Sequence, residues 1–209
     1  MEQLFTVHDI IKTLNDGKIT KTIIRKTYKF GKLNEVMYFD KNNNFHRDDG
    51  PAIIKYWNDT DKLHYVIWYQ NNMQHRNPSP DGTTGATYTQ YLEDGITLHS
   101  EYWYVNNKLH RDGDLPACIL YSVSDKLENF ESTEKRWYKD GKLHREGNLP
   151  ALILTDADNV RIEEYYLKGI LQNKCIYKNN HDILIEKAKK LSKEDVNKCL
   201  AFLEIINTN

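Results

Sequence analysis

Short aromatic or mixed runs, separated by turn-forming pairs, fill the middle of the chain and predict β-strands. Two of them bound the stretch Tyr102 to Ala117, YWYVNNKLHRDGDLPA, which returns as RWYKDGKLHREGNLPA at Arg136 to Ala151 with Trp, Tyr, Lys-Leu-His-Arg, Gly and Pro-Ala at the same offsets. Worn copies run from Phe39 through His46-Arg47 to Pro51-Ala52, and from Trp68-Tyr69 through His75-Arg76 into NPSPDGTTGA. The four His-Arg pairs begin at 46, 75, 110 and 144, a step of 29 to 35 residues that marks a repeat array.

Asn106-Asn107 and Asp140-Gly141 tolerate the positive φ of a two-residue hairpin turn, so each copy contains a tight hairpin. Counting back from the turn sets Trp103 opposite His110, Tyr104 opposite Leu109 and Trp137 opposite His144, with each aromatic facing its histidine. The same count sets Trp68 opposite His75 and Phe39 opposite His46. An apolar strand follows each Pro-Ala or its equivalent, as at Ala52-Ile53-Ile54 and Ala151-Leu152-Ile153-Leu154; proline at a strand's first residue removes no internal ladder bond. Leu63-His64 and Leu98-His99 each lie 11 residues before the next repeat histidine, which predicts single long strands over Lys62 to Gln70 and Thr97 to Val105. The middle then reads as one antiparallel meander with two strands per period.

The ends depart from this pattern. Thr27 to Glu35, TYKFGKLNE, reads as a degenerate first hairpin, and Tyr165 to Asn173, YYLKGILQN, as a last one without Trp and His. Terminal repeats are expected to be atypical, having a neighbour on one side only. Thr6 with Asp9 three residues on predicts the cap of a short helix ending near Gly17. HDILIEKAKKL at His181 to Leu191 predicts a helix, and Ser192 opens a second one presenting Val196, Cys199, Leu200 and Leu203. The expected fold is mainly β: an elongated single-layer antiparallel meander of hairpin repeats over 21–177, a helical lead over 1–20 and a helical cap over 178–209.

Composition narrows this further. The apolar fraction of 39% includes 14 Tyr, which suits a thin body with little interior. A net charge of −1, from 29 basic and 30 acidic residues, gives no overall pull on nucleic acid or anionic membrane, so nucleic acid is an unlikely partner. No run of 18 apolar residues and no signal-type start at Met1 to Thr20 is present, so neither membrane insertion nor secretion by a signal peptide is expected. Three cysteines, at 118, 175 and 199, share no C-x-x-C spacing and support neither a disulfide frame nor a thiolate zinc site.

The candidate functional residues are the members of the ladder: Phe39, His46, Arg47, Trp68, His75, Arg76, Trp103, His110, Arg111, Trp137, His144 and Arg145. They could align as a strip that binds an anion or a partner, since Arg offers a planar five-donor fork. The alternative is packing, with His on the cross-strand Trp and at the Gly-Pro corner, and Arg on a nearby acid. Packing is the preferred reading, because a group needed once for chemistry is seldom wanted in every repeat. His46-Arg47-Asp48 and His110-Arg111-Asp112 spell the kinase tripeptide by chance, since no glycine-rich loop or DFG accompanies them. The histidine spacing matches no short metal-ligand pattern, and neither Asp156 with Asp158 nor Glu163 with Glu164 stands out as a catalytic carboxylate pair. No catalytic residue, metal or cofactor is expected.

The units WYxxGKLHRxxGxPA resemble variant MORN-type repeats in the His-Arg-x-x-Gly-Pro-Ala form found in giant DNA viruses and some large phages. The resemblance covers roughly Thr27 to Asn173; it is strong at 102–117 and 136–151 and loose where Asn34, Pro78 and Gln172 interrupt the pattern. It implies an elongated sheet without catalytic residues, used to bind proteins, in the cytoplasm or associated with a virus particle. The expected function is therefore a non-enzymatic scaffold for another protein. The alternatives are an antitoxin or immunity-like inhibitor that occludes an enzyme, and an enzyme or binder acting on sugar or nucleic acid along an aromatic face.

Overall fold

The computed structural model describes residues 5–14, 20–58, 60–79, 82–121, 132–155, 160–178 and 182–186. Thirteen strands form one antiparallel sheet in chain order: β1 (Phe5–Leu14), β2 (Thr20–Lys29), β3 (Lys32–Phe39), β4 (Ile53–Tyr56), β5 (Leu63–Ile67), β8 (Tyr88–Tyr91), β9 (Leu98–Tyr102), β12 (Cys118–Tyr121), β13 (Ser132–Arg136), β16 (Leu152–Thr155), β17 (Val160–Leu167), β18 (Ile170–Lys178) and β19 (Asp182–Glu186). The other six strands make three small hairpins: β6 (Tyr69–Gln70) with β7 (Met73–Gln74), β10 (Tyr104–Val105) with β11 (Lys108–Leu109), and β14 (Tyr138–Lys139) with β15 (Lys142–Leu143). At 4.7–4.9 Å per strand the main sheet is roughly 58 Å wide.

The meander is as the repeat predicts, but the long strands are not continuous. At Trp68, Trp103 and Trp137 the chain changes partner. Trp103 N–H donates to Ala117 O in the main sheet, while Trp103 O accepts from His110 N–H in the hairpin; Trp68 with Thr87 and His75, and Trp137 with Ala151 and His144, do the same. Each strand therefore leaves the sheet at its tryptophan and ends in a projecting tip. The expected cross-strand count holds, with Tyr104 opposite Leu109 and Tyr138 opposite Leu143.

Three expectations are corrected. Phe5–Leu14 is a strand paired along its whole length with β2, not a helix. Five of its ten residues are β-branched, and pairing with a preformed edge outweighs a local capping signal. Asp182–Glu186 is likewise a strand, paired to β18 from Lys178↔Asp182 to Lys174↔Glu186, where a helix over 181–191 was expected. The second expected helix, from Ser192, lies outside the described residues. The third correction concerns Phe39. His46 N–H donates to Tyr38 O, and Phe39 bridges Phe45, so Tyr38 is the pivot of the first copy. The loop there is one residue longer, and Asp40 closes it by accepting from Asn42 N–H, Asn44 N–H and the Asn44 side-chain amide at 2.8–3.0 Å.

The hairpin at Phe30-Gly31 forms as expected, but β3 runs from that turn to Phe39, so the turn points to the opposite end of the sheet from the tips. It belongs with the turns after Trp57 and Leu92, where the Trp57 indole N–H donates to Leu92 O at 2.9 Å. Among the described residues no second layer covers the sheet, and no helix is long and apolar enough to cross a membrane. Side chains across the strands are accordingly half-buried. The fully buried ones among the described residues are small: Ala52, Thr87, Ala117 and Ala151 opposite the pivots, together with Ser100 and Cys118, all at 0–1% exposure. An indole is broader than one strand spacing, so the strand between two tryptophans has room only for a small residue.

Candidate functional site

Each unit of the ladder is built in the same way. Arg47, Arg76, Arg111 and Arg145 lay their guanidinium over Tyr38, Trp68, Trp103 and Trp137 at 3.7–4.1 Å from the ring centroid. Each also donates one N–H, at 3.2–3.4 Å, to the carbonyl of Pro51, Ala86, Pro116 or Pro150. Arginine is suited to both contacts because its plane stacks while its edge donates. Gly85 makes room for this: a Cβ there would stand 2.0 Å from Arg76 Nη1. The group expected over the tryptophan was histidine; the cation found there is the arginine that follows it.

The histidines join one tip to the next. His46, His110 and His144 accept at Nδ1 from the backbone N–H of Asn71, Asp140 and Lys168, the first turn residue of the following tip. Their Nε2 faces Asp48, Asp112 and Glu146 at 3.1–3.3 Å, which selects the Nε2–H tautomer. Hydrogen bonds from the Lys139 ammonium and from His144 hold the Glu146 carboxyl down to about 2. His75, which has Asn77 in place of the acid, keeps a buried Nδ1 without a partner. Beside these contacts, the second turn residue donates its N–H back to the preceding tip: Asn72 to Phe45 O, Asn107 to Gln74 O, Gly141 to Leu109 O and Gly169 to Leu143 O. The tips thus form a hydrogen-bonded stack of their own. Eleven of the twelve candidate residues come together as repeated local contacts, and Tyr38 stands in the place expected for Phe39.

The structure also gathers residues that the motif does not contain. Trp137 Nε1–H donates to Asp114 O at 3.0 Å, and Arg145 grips the Asp114 carboxylate with two bonds of 2.8 Å, keeping that carboxyl below its ordinary range. Around this clasp lies an open cleft of about 580 Å³, lined by Arg111, Leu115, Pro116, Ile119, Lys135, Ile153, Thr155 and Arg161 among others. Lys135 pairs with Ile119 on one side through the β12–β13 register and with Ile153 on the other through β13–β16. Burial pulls the Arg111 and Arg76 guanidiniums below the usual arginine range. Lys135, Ile153, Thr155 and Arg161 fall outside the repeat motif, and only strand register could have pointed to them.

Glu163 and Glu164 are held by different partners. Glu163 is held by Arg161, Tyr165 and Tyr177, and Glu164 by Tyr166 and Lys174. As neighbours on one strand they face opposite sides of the sheet. Asp156 and Asp158 lie outside the described residues. Among the described residues no three His, Cys, Asp or Glu side chains gather as metal ligands, and burial pushes the Cys118 thiol up to about 11, so it stays protonated. No protein-family model, curated protein or solved structure matches the chain.

Proposed function

We propose that the protein is a non-enzymatic scaffold of the MORN-like repeat kind, whose sheet holds another protein against one face. The observation that carries this reading is the broad sheet with no second layer over it among the described residues, whose strands leave Ile54, Val66, Ile119 and Ile153 half-exposed along one face. Apolar side chains left on an uncovered sheet gain stability when they are buried against something else. The repeated His, Arg and Trp groups support the reading from another side, because they contact one another, backbone and neighbouring carboxylates of the same chain. The tips are thereby held rigid, and a rigid surface loses little entropy on binding.

The test is affinity capture with the full chain from expressing cells, followed by mass spectrometry and cross-link mapping. A defined protein cross-linked to the strand faces, and lost in a folded Ile54→Asp/Val66→Asp variant, is the expected result. Turnover of a sugar or nucleic-acid substrate with no protein retained sinks the reading.

A further inference from the structure

We propose that the cleft around the Arg145–Asp114 clasp is a docking site for an acidic, extended segment of the partner protein, an inference that rests on the scaffold reading. Its lining carries four cations, Arg111, Lys135, Arg145 and Arg161, against one anion, Asp114. Two of the cations are neutralised: Arg145 by Asp114, and Arg161 by Glu163 at 2.6 Å. Among the described residues Lys135 and Arg111 have no ion pair, and the Glu101 carboxylate acts on Arg111 only at a distance.

Lys135 is half-buried on the floor with an isoleucine on each side. The carboxylates in its cross-strand row are Glu101 and Glu163, each two strands away, about 10 Å at the ordinary spacing. Both are already engaged, Glu101 by the Tyr121 hydroxyl at 2.6 Å and Glu163 by Arg161 and two tyrosines. Arg111 differs from its repeat mate in one respect. The indole of Trp137 donates to Asp114 O, and that of Trp103 to Thr84 O, so Thr84 holds the place of Asp114 in the preceding loop. Arg145 therefore has a carboxylate clasp and Arg111 has a threonine there. Its hydrogen bond to Pro116 O leaves most of the donor fork for a ligand.

Two partly desolvated cations without a bonded carboxylate among the described residues, set among Leu115, Pro116, Ile119 and Ile153, fit a segment that alternates acidic and apolar side chains. A nucleic-acid strand fits less well. The Trp137 ring is 7% exposed and lies under Arg145, so it offers no platform for a base, and the row beyond the cleft turns acidic at Glu101 and Glu163.

The test uses the full chain and fluorescence anisotropy with labelled hexaglutamate, hexalysine and oligo(dT), at about 50 and 300 mM salt. Hexaglutamate is expected to bind at low salt, hexalysine not to, and Lys135→Met to weaken hexaglutamate about tenfold, a change that keeps the floor filled. Arg111→Gln is expected to weaken it as well, with circular dichroism confirming its fold. No binding to the wild type, equal binding to Lys135→Met, or tighter binding of oligo(dT) overturns the proposal. The two readings separate cleanly. Protein captured equally by wild type and Lys135→Met, with no hexaglutamate binding, removes this site and leaves the scaffold. Lys135-dependent hexaglutamate binding with no protein captured supports the site and removes the scaffold.

Discussion

Trp103 belongs to two ladders at once. Its N–H stays in the main sheet, its C=O turns to the tip, its indole N–H reaches Thr84 O, and Arg111 covers its ring. With 5% of its surface exposed it is the largest side chain in the cluster with Ala86 and Ala117. Trp103→Ala is therefore expected to cost about 3 to 5 kcal/mol, the range for removing a large buried aromatic. His110→Ala loses a backbone link to Asp140 and a contact with Asp112, worth roughly 0.5 to 1.5 kcal/mol. Urea denaturation of both variants checks the ranking; a larger loss for His110→Ala would move the anchor from packing to the polar link. The importance of both residues is legible in the repeat. Their division of labour is not, because periodicity records that a position matters and is silent on which neighbour it touches.

At the scale of the element, both central residues of every two-residue turn have positive φ, from Asn71 and Asn72 at 50° and 63° to Lys168 and Gly169 at 51° and 86°. This is the primed geometry that matches the twist of the flanking strands. Asn-Asn and Asp-Gly announce it in the sequence. Lys168 does not, since lysine pays for the left-handed region without the local hydrogen bonding that eases it for Asn. Lys168→Asn is expected to raise stability by about 0.5 to 1 kcal/mol, seen as a melting point about 1 to 4 °C higher. An unchanged or lower melting point would mean that the Lys168 side chain supports the last tip. The first copy shows the limit of counting offsets: one extra residue in the loop closed by Asp40 moves the pivot from Phe39 to Tyr38.

At the scale of the molecule, among the described residues each strand of the main sheet pairs with the strands next to it in chain order, and each tip bonds to its own pivot and to the adjacent tips. Stability in such an array is a sum of unit and nearest-neighbour terms, so damage should stay local. Hydrogen exchange on Trp137→Ala is expected to show faster exchange in β13 to β18 and unchanged protection in β3 to β5. Uniform acceleration across the sheet would show that the thirteen strands unfold as one unit.

The sequence by itself determined the strand-turn-strand units, the sites of the primed turns, the Trp-to-His register and the two strands per repeat. These are properties of neighbours within a few residues, where turn conformation and side-chain alternation leave little choice. Tertiary structure alone decided the rest. It made strands of Phe5–Leu14 and Asp182–Glu186, because an exposed sheet edge supplies a ladder that local capping preferences cannot match. It placed the Phe30-Gly31 hairpin at the end away from the tips, and it set Arg111 over Trp103. Lys135 was brought between two isoleucines and beside arginines from separate copies because Ile119 and Ile153, far from it in sequence, lie on strands about 5 Å away in the sheet.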